Sequence, residues 1–247
     1  MSLNDMSTSK RRATDAGSGA EVGLSEIESS PDEVGSESTE DAPEERAIER
    51  ARELVERGEI ETAQAIYREI ILDAPEDIEA RVGLAELHRA LGQQIQALEQ
   101  LEAAKEIDPE NPIVLTNLGS ILGALNRFQE AERELRRATR LAPERADAYV
   151  ALGTLLFKRG LYQQAEEELA QAIERDAENA IAYYYRGEAL HQLDRIDEAL
   201  EMLMRAVDLD PRNGRAYHTM GIIYDRKHMR TEASEMYRRG REASAVE

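Results

Sequence analysis

Residues 146–179 read ADAYVALGTLLFKRGLYQQAEEELAQAIERDAEN, a stretch with two apolar runs on either side of a turn residue. The first run holds Leu152, Gly153 and Leu156, the second Ala165, Leu169 and Ala172, and Gly160 lies between them. Apolar residues at three- and four-residue spacing make both runs amphipathic helices, and glycine suits the turn that joins them. The pattern recurs along the chain, because Ala165 belongs to the series Ala63, Ala97, Ala131, Ala165, Ala199 and Ala233, spaced 34 residues apart. A fixed period of this size marks a stacked array of helix pairs.

Taking Ala63 as position 20 of a unit gives units 44–77, 78–111, 112–145, 146–179, 180–213 and 214–247. Position 8 is always small: Ala51, Ala85, Gly119, Gly153, Gly187 and Gly221. Two helices cross closely there, and a bulky side chain would push them apart. Position 24 is large (Tyr67, Leu101, Leu135, Leu169, Leu203, Tyr237), and position 27 is Ile70, Ala104, Ala138, Ala172, Ala206 and Gly240. Position 15 carries Gly58, Gly92, Asn126, Gly160, Asp194 and His228, turn residues between helices of about 14 residues. Position 32 is proline at Pro75, Pro109, Pro143 and Pro211, with Ala177 and Ala245 as exceptions, and proline there is expected to end the second helix.

These residues resemble the tetratricopeptide repeat family, whose 34-residue pattern places Leu, Gly and Tyr or Leu in a first helix and Ala, a large residue, Ala and Pro in a second. The six units cover 204 of 247 residues. Leu118-Gly119 with Leu122, Leu152-Gly153 with Leu156, and Gly187 with Leu190 carry the resemblance best. The first unit departs from the pattern at Ala47 and Arg50, and the sixth ends in Gly240, Ala243 and Ala245, as terminal units of solenoids often do. The resemblance implies an all-α, right-handed superhelical solenoid of six helix-turn-helix units whose first helices line a concave groove.

The net charge of −20 divides unevenly. Residues 1–43 carry 10 acidic and 3 basic groups, a net of −7, and the array carries 41 and 28, a net of −13. An acidic surface repels phosphate backbones, so nucleic acid is excluded as a partner and basic or neutral protein segments are favoured. Lys10, Lys105, Lys158 and Lys227 are the only lysines, a composition that fits a bacterial source. Residues 1–43, rich in Ser, Glu, Asp and Gly, cannot bury enough surface to offset ordering entropy and are expected to be a disordered tail. With no cysteine, neither a disulfide nor a thiolate metal site can form. No apolar run approaches membrane-helix length, so membrane insertion is not expected and a cytoplasmic location follows by default.

None of the phosphate-loop, dinucleotide, zincin or nucleophile-elbow motifs occurs, so no enzyme, cofactor or metal is expected. His88, at position 11, reads as a hydrogen-bonded core histidine and His228 as a turn residue. The run Glu166-Glu167-Glu168 reads as a solvated outer face.

Function is expected at positions 2, 5, 6, 9, 12 and 13, which face the groove and are not needed for the fold. The first two units are charged there (Glu45, Glu49, Arg52, Glu56, Glu79, Glu86, Arg89), and the third is mostly small, with Asn117, Ser120 and Gly123. The last three carry Val150, Thr154, Phe157, Tyr184, Tyr185, His191, His218 and Ile222. Phe157, Tyr184 and Tyr185 are expected to anchor a peptide through apolar area, to which the tyrosines add a polar tip. Asn117, Thr154 and His191 would hydrogen-bond it. Two specialised groove chemistries of the family are missing. The chaperone-tail carboxylate clamp fails at Val82, Glu86, Asp147 and Ala151, and the asparagine ladder fails because position 6 is asparagine only at Asn117.

The sequence therefore points to a non-catalytic scaffold that holds a peptide segment of a partner in the groove of the fourth to sixth units. The alternative is a self-assembling structural protein stacked end to end, since the first unit nets −6 and the sixth +2. A weak association between the acidic segment Glu37–Glu45 and Arg238, Arg239 and Arg241 is also expected.

Overall fold

The computed structural model describes residues 43–245. The tail expected to be disordered over residues 1–43 falls outside them except for Pro43, which opens a helix instead, and most of the acidic segment Glu37–Glu45 also falls outside. Among the described residues, twelve helices form six antiparallel pairs: α1 (Pro43–Glu56) with α2 (Ile60–Asp73), α3 (Ile78–Ala90) with α4 (Gln94–Ile107), α5 (Pro112–Ala124) with α6 (Phe128–Leu141), α7 (Ala146–Lys158) with α8 (Tyr162–Arg175), α9 (Ala180–Gln192) with α10 (Ile196–Leu209), and α11 (Gly214–Arg226) with α12 (Arg230–Ser244). The pairs stack into a right-handed solenoid.

Within a pair the crossing is set by volume. A Cβ placed on Gly119, Gly153 or Gly187 would lie 2.4, 2.5 or 2.7 Å from Cγ of Leu135, Leu169 or Leu203. Hydrogen at position 8 is what lets the leucine at position 24 seat fully. The alanines at position 20 are 0–1% exposed, and Leu101, Leu135, Leu169 and Leu203 are likewise buried. Each such leucine contributes about 1.5–3 kcal/mol relative to an exposed one.

The turn inside each pair is a Schellman motif. In α3–α4 the Gly92 N–H donates to Arg89 O at 3.0 Å and the Gln93 N–H to His88 O at 2.8 Å. All six residues at position 15 have positive φ, including Asn126 (61°), Asp194 (65°) and His228 (61°). This is the left-handed cap that ends a helix without orphaned carbonyls.

The turn after α8 qualifies the role given to proline. Helix α8 stops at Arg175 in the same phase as α2, α4, α6 and α10 although Ala177 stands where they have proline. Asp176 is extended there (φ −140°, ψ 95°), and its carboxylate accepts the Glu178 N–H at 3.0 Å. Asp108 and Asp210 do the same for Glu110 and Arg212. At position 34, Asp77, Asn111, Asn179 and Asn213 then cap the following helix by accepting backbone N–H groups. After α4, α8 and α10 an aspartate turn marks the helix end and proline, where present, only reinforces the extended backbone; after α2 and α6, where Ala74 and Ala142 stand instead, Pro75 and Pro143 keep the role expected of them.

A second correction concerns Glu166, which is buried rather than solvated. It accepts two hydrogen bonds from Arg186, at 3.0 and 2.8 Å, and pairs with Arg195 at 3.6 Å. The second helices are sandwiched between neighbouring pairs, so part of their polar face is interior. Glu134 is buried in the same way, beside Lys105 at 3.0 Å and Arg137 at 3.7 Å. His88 is a core histidine as expected, its Nδ1 2.6 Å from Gln93 Oε1.

Candidate functional site

The first helices form the inner wall of the solenoid. Its middle is built from α5, whose sequence is almost wholly apolar or small. Pro112 fits the first turn, where its missing N–H is not needed, and Asn111 accepts the N–H groups of Ile113 and Val114 at 3.0 and 3.2 Å. The hydroxyls along the helix are satisfied internally: Thr116 donates to Pro112 O at 2.7 Å and Ser120 to Thr116 O at 2.9 Å. Short side chains that turn back on their own helix leave the floor shallow.

Above this floor opens a cavity of about 730 Å³. Asn117, Ser120 and Gly123 contribute from α5, Val150, Ala151 and Thr154 from α7, and Ile181, Tyr184 and Tyr185 from α9. Asn117, Val150, Thr154, Tyr184 and Tyr185, five of the residues singled out from sequence, thus converge on one space. Asn117 Nδ2 donates to Glu86 Oε1 at 3.4 Å, tying α5 to α3.

The aromatics form a stack. Tyr184 and Tyr185 meet edge-on at 5.0 Å, Tyr185 meets Phe157 at 5.6 Å, and Phe157 meets Tyr162 at 5.5 Å. All are half-buried. Phe157 therefore braces Tyr185 and does not itself line the cavity. Burial pushes the Tyr184 hydroxyl up to about 12, with the nearby Glu188 adding to the shift and Arg215 opposing it. The hydroxyl thus stays a neutral donor across the physiological range.

The remaining candidates lie elsewhere. His218 borders a neighbouring cavity of about 770 Å³ with Tyr184, Glu188 and Arg215, and its ring is 5.5 Å from that of Tyr237. His191, half-buried on α9, and Ile222, 41% exposed on α11, line neither space.

A further cavity, of about 790 Å³, was not foreseen. It opens between α1, α3 and α5, where sequence suggested only charge, and Val55, Ile78, Val82 and Leu87 supply apolar walls. Its floor is Tyr67, whose ring would lie 2.5 Å from a Cβ on Gly83. The pairing of glycine at 83 with tyrosine at 67 was the available signal. Glu86, Arg89 and Ile113 border both spaces, so one groove continues from α1 to α9.

Of the sixth unit's seven cations, four are engaged within the chain: Arg226 and Lys227 pair with Asp194 and Asp197 of the preceding unit, and the other two pair within α12. Arg238 pairs with Glu235 at 2.7 Å and Glu242 at 2.6 Å, and Arg239 with Glu235 at 2.8 Å. Among the described residues no three His, Asp or Glu side chains are grouped to hold a metal ion, and no helix is long and apolar enough to cross a membrane.

Family models described as tetratricopeptide repeat match residues 54–121, 116–173 and 150–214, together well over half of the chain. The structure of MamA is similar, at 26% identity over 66% of this chain and 95% of that chain, with a TM-score of 0.57. YrrB, described as a TPR protein with an unusual peptide-binding site, shares the fold at 24% identity over 72% of this chain and 92% of its own, with a TM-score of 0.55. Pseudomonas aeruginosa pilF shares it at 20% identity over 78% and 88% of the two chains, with a TM-score of 0.69. Among curated proteins none matches significantly.

Proposed function

Since the chain belongs to the tetratricopeptide repeat family, whose members are non-catalytic interaction scaffolds, we propose that it holds a short segment of a partner protein in the groove over α5, α7 and α9. The observation that carries this reading is the pairing of a small-residue floor with an aromatic wall in one cavity of about 730 Å³. A floor of Ser120, Gly123 and Ala151 lets a peptide backbone come close. Tyr184 and Tyr185, braced by Phe157, are held in place before binding, so their apolar area contributes to affinity with little ordering cost. Asn117 and Thr154 supply polar contacts on the same floor.

The test is selection of binders from a displayed library of random peptides on the full chain, followed by titration of the winners. Tyr184→Ala with Tyr185→Ala is expected to weaken the selected peptides by about tenfold or more, since loss of an aromatic anchor costs above about 1 kcal/mol. Circular dichroism of the double variant should retain the helical signal. Selected peptides that bind the variant as well as the parent would overturn the reading.

A further inference from the structure

We infer that the segment this groove selects is acidic, with apolar residues over the floor and Asp or Glu side chains at the rim. The inference rests on the groove reading above and adds the chemistry of the occupant. It also reverses the expectation of a basic or neutral partner that follows from net charge alone.

The observation is the state of each charged group around the cavity. Arg89 on α3, Lys158 at the end of α7 and Arg215 on α11 are exposed. Among the described residues, none of the three is within ion-pair distance of a carboxylate. The carboxylates bordering the same space are two, Glu86 and Asp147, against four cations once Arg145 is counted. Glu86 accepts from Asn117 at 3.4 Å, and Asp147 accepts two hydrogen bonds from Arg145, at 3.1 and 2.5 Å. What this part of the groove offers an incoming chain is therefore a surplus of positive charge, four cations against two carboxylates, in an array whose net charge is −13.

A concave site with low-dielectric walls focuses such a field and steers a ligand of opposite sign. A bound peptide would also displace water from the rim, where its carboxylates would replace lost hydration with charge-assisted hydrogen bonds to arginine. A basic segment would meet this surplus of cations, offset only by Glu86 and by Glu188, which borders the neighbouring cavity beside Arg215.

The experiment uses the same displayed library on the full chain, at about 50 mM salt, where screening extends little beyond the groove width. Clones lost on Tyr184→Ala with Tyr185→Ala define the groove pool. The groove pool is expected to be enriched in Asp and Glu over the input library. Its peptides should bind Lys158→Glu with Arg215→Glu at least about tenfold more weakly, and the difference should shrink towards about 500 mM salt. Should that variant lose its helical signal, Lys158→Gln with Arg215→Gln replaces it, with an expected loss of about threefold. A groove pool without acidic enrichment, or one indifferent to the charge variants, overturns this inference and leaves the groove reading standing. Failure to obtain any groove pool overturns both.

Discussion

Gly187 and Gly160 differ in the reason each is glycine. At Gly187 the constraint is space: an added Cβ would sit 2.7 Å from Leu203 Cγ and 3.2 Å from Ala199 O, and the backbone oxygen cannot yield. At Gly160 the constraint is conformation, since φ is 74° and the nearest atom is 4.0 Å away. Gly187→Leu should therefore cost about 3 kcal/mol or more by overpacking, and Gly160→Ala about 1 kcal/mol from the left-handed backbone. Thermal melts of the two variants check the order, and equal losses would mean that position 8 is not the closest crossing. The same reasoning run backwards predicts that His228→Gly, at φ 61°, raises stability by about 0.5 kcal/mol. Residues of this kind were legible in the sequence because volume and φ act locally and repeat every unit. Glu166 was not, because its burial depends on Arg186 and Arg195 from the next pair, and no periodicity within one helix reports what the next pair supplies.

At the scale of an element, helix length and phase were readable from the 34-residue period, while the cause of each helix end was not. Proline catches the eye, yet Asp176 ends α8 without it. Pro109→Ala should accordingly cost less than about 0.5 kcal/mol, within the usual range of surface changes. Loss of a side-chain cap matters more. Asn179→Ala removes the acceptor for the Ala182 N–H, held at 3.0 Å, and should cost about 1 kcal/mol. Helix α7 has no such cap, because Arg145 occupies that position, so Arg145→Asn should leave stability level or raise it. Denaturant midpoints of the three variants give the comparison. In α12, the guanidinium groups of Arg238 and Arg239 hold the Glu235 carboxyl down to about 2. An acid whose folded pKa lies below its unfolded value stabilises the fold above the unfolded value and loses that contribution as pH falls through the folded one. Carbon-detected NMR titration should thus find Glu235 still ionised at about pH 3, where an ordinary glutamate is mostly protonated.

For the whole molecule, the groove was partly legible. Tyr184 and Tyr185 stood out because the fold does not require aromatics there, and Asn117, Val150 and Thr154 fell beside them because first helices face inward in every unit. His191 and Ile222 occupy inward positions too, yet the rotation from unit to unit turns equivalent positions to different depths, a property of the superhelix that single-unit periodicity does not contain. The same step from local to global governs the ends. Summed charge sets a sixth unit of +2 against a first of −6 and so suggests heterologous stacking. In the folded array, however, Arg238 and Arg239 pair with Glu235 and Glu242 one turn away, and Arg226 and Lys227 with Asp194 and Asp197 of the preceding unit, so four of the seven cations at the positive end are already engaged. A net charge of −20 adds mutual repulsion, which grows as salt falls and the screening length lengthens. Light scattering on the full chain should therefore give one mass, that of a 27.7 kDa monomer, from about 20 mM to about 500 mM salt. End-to-end stacking predicts the opposite trend, with apparent mass rising at the low-salt end and falling back on addition of salt, and that result would make the ends, rather than the groove, the working surface of this protein.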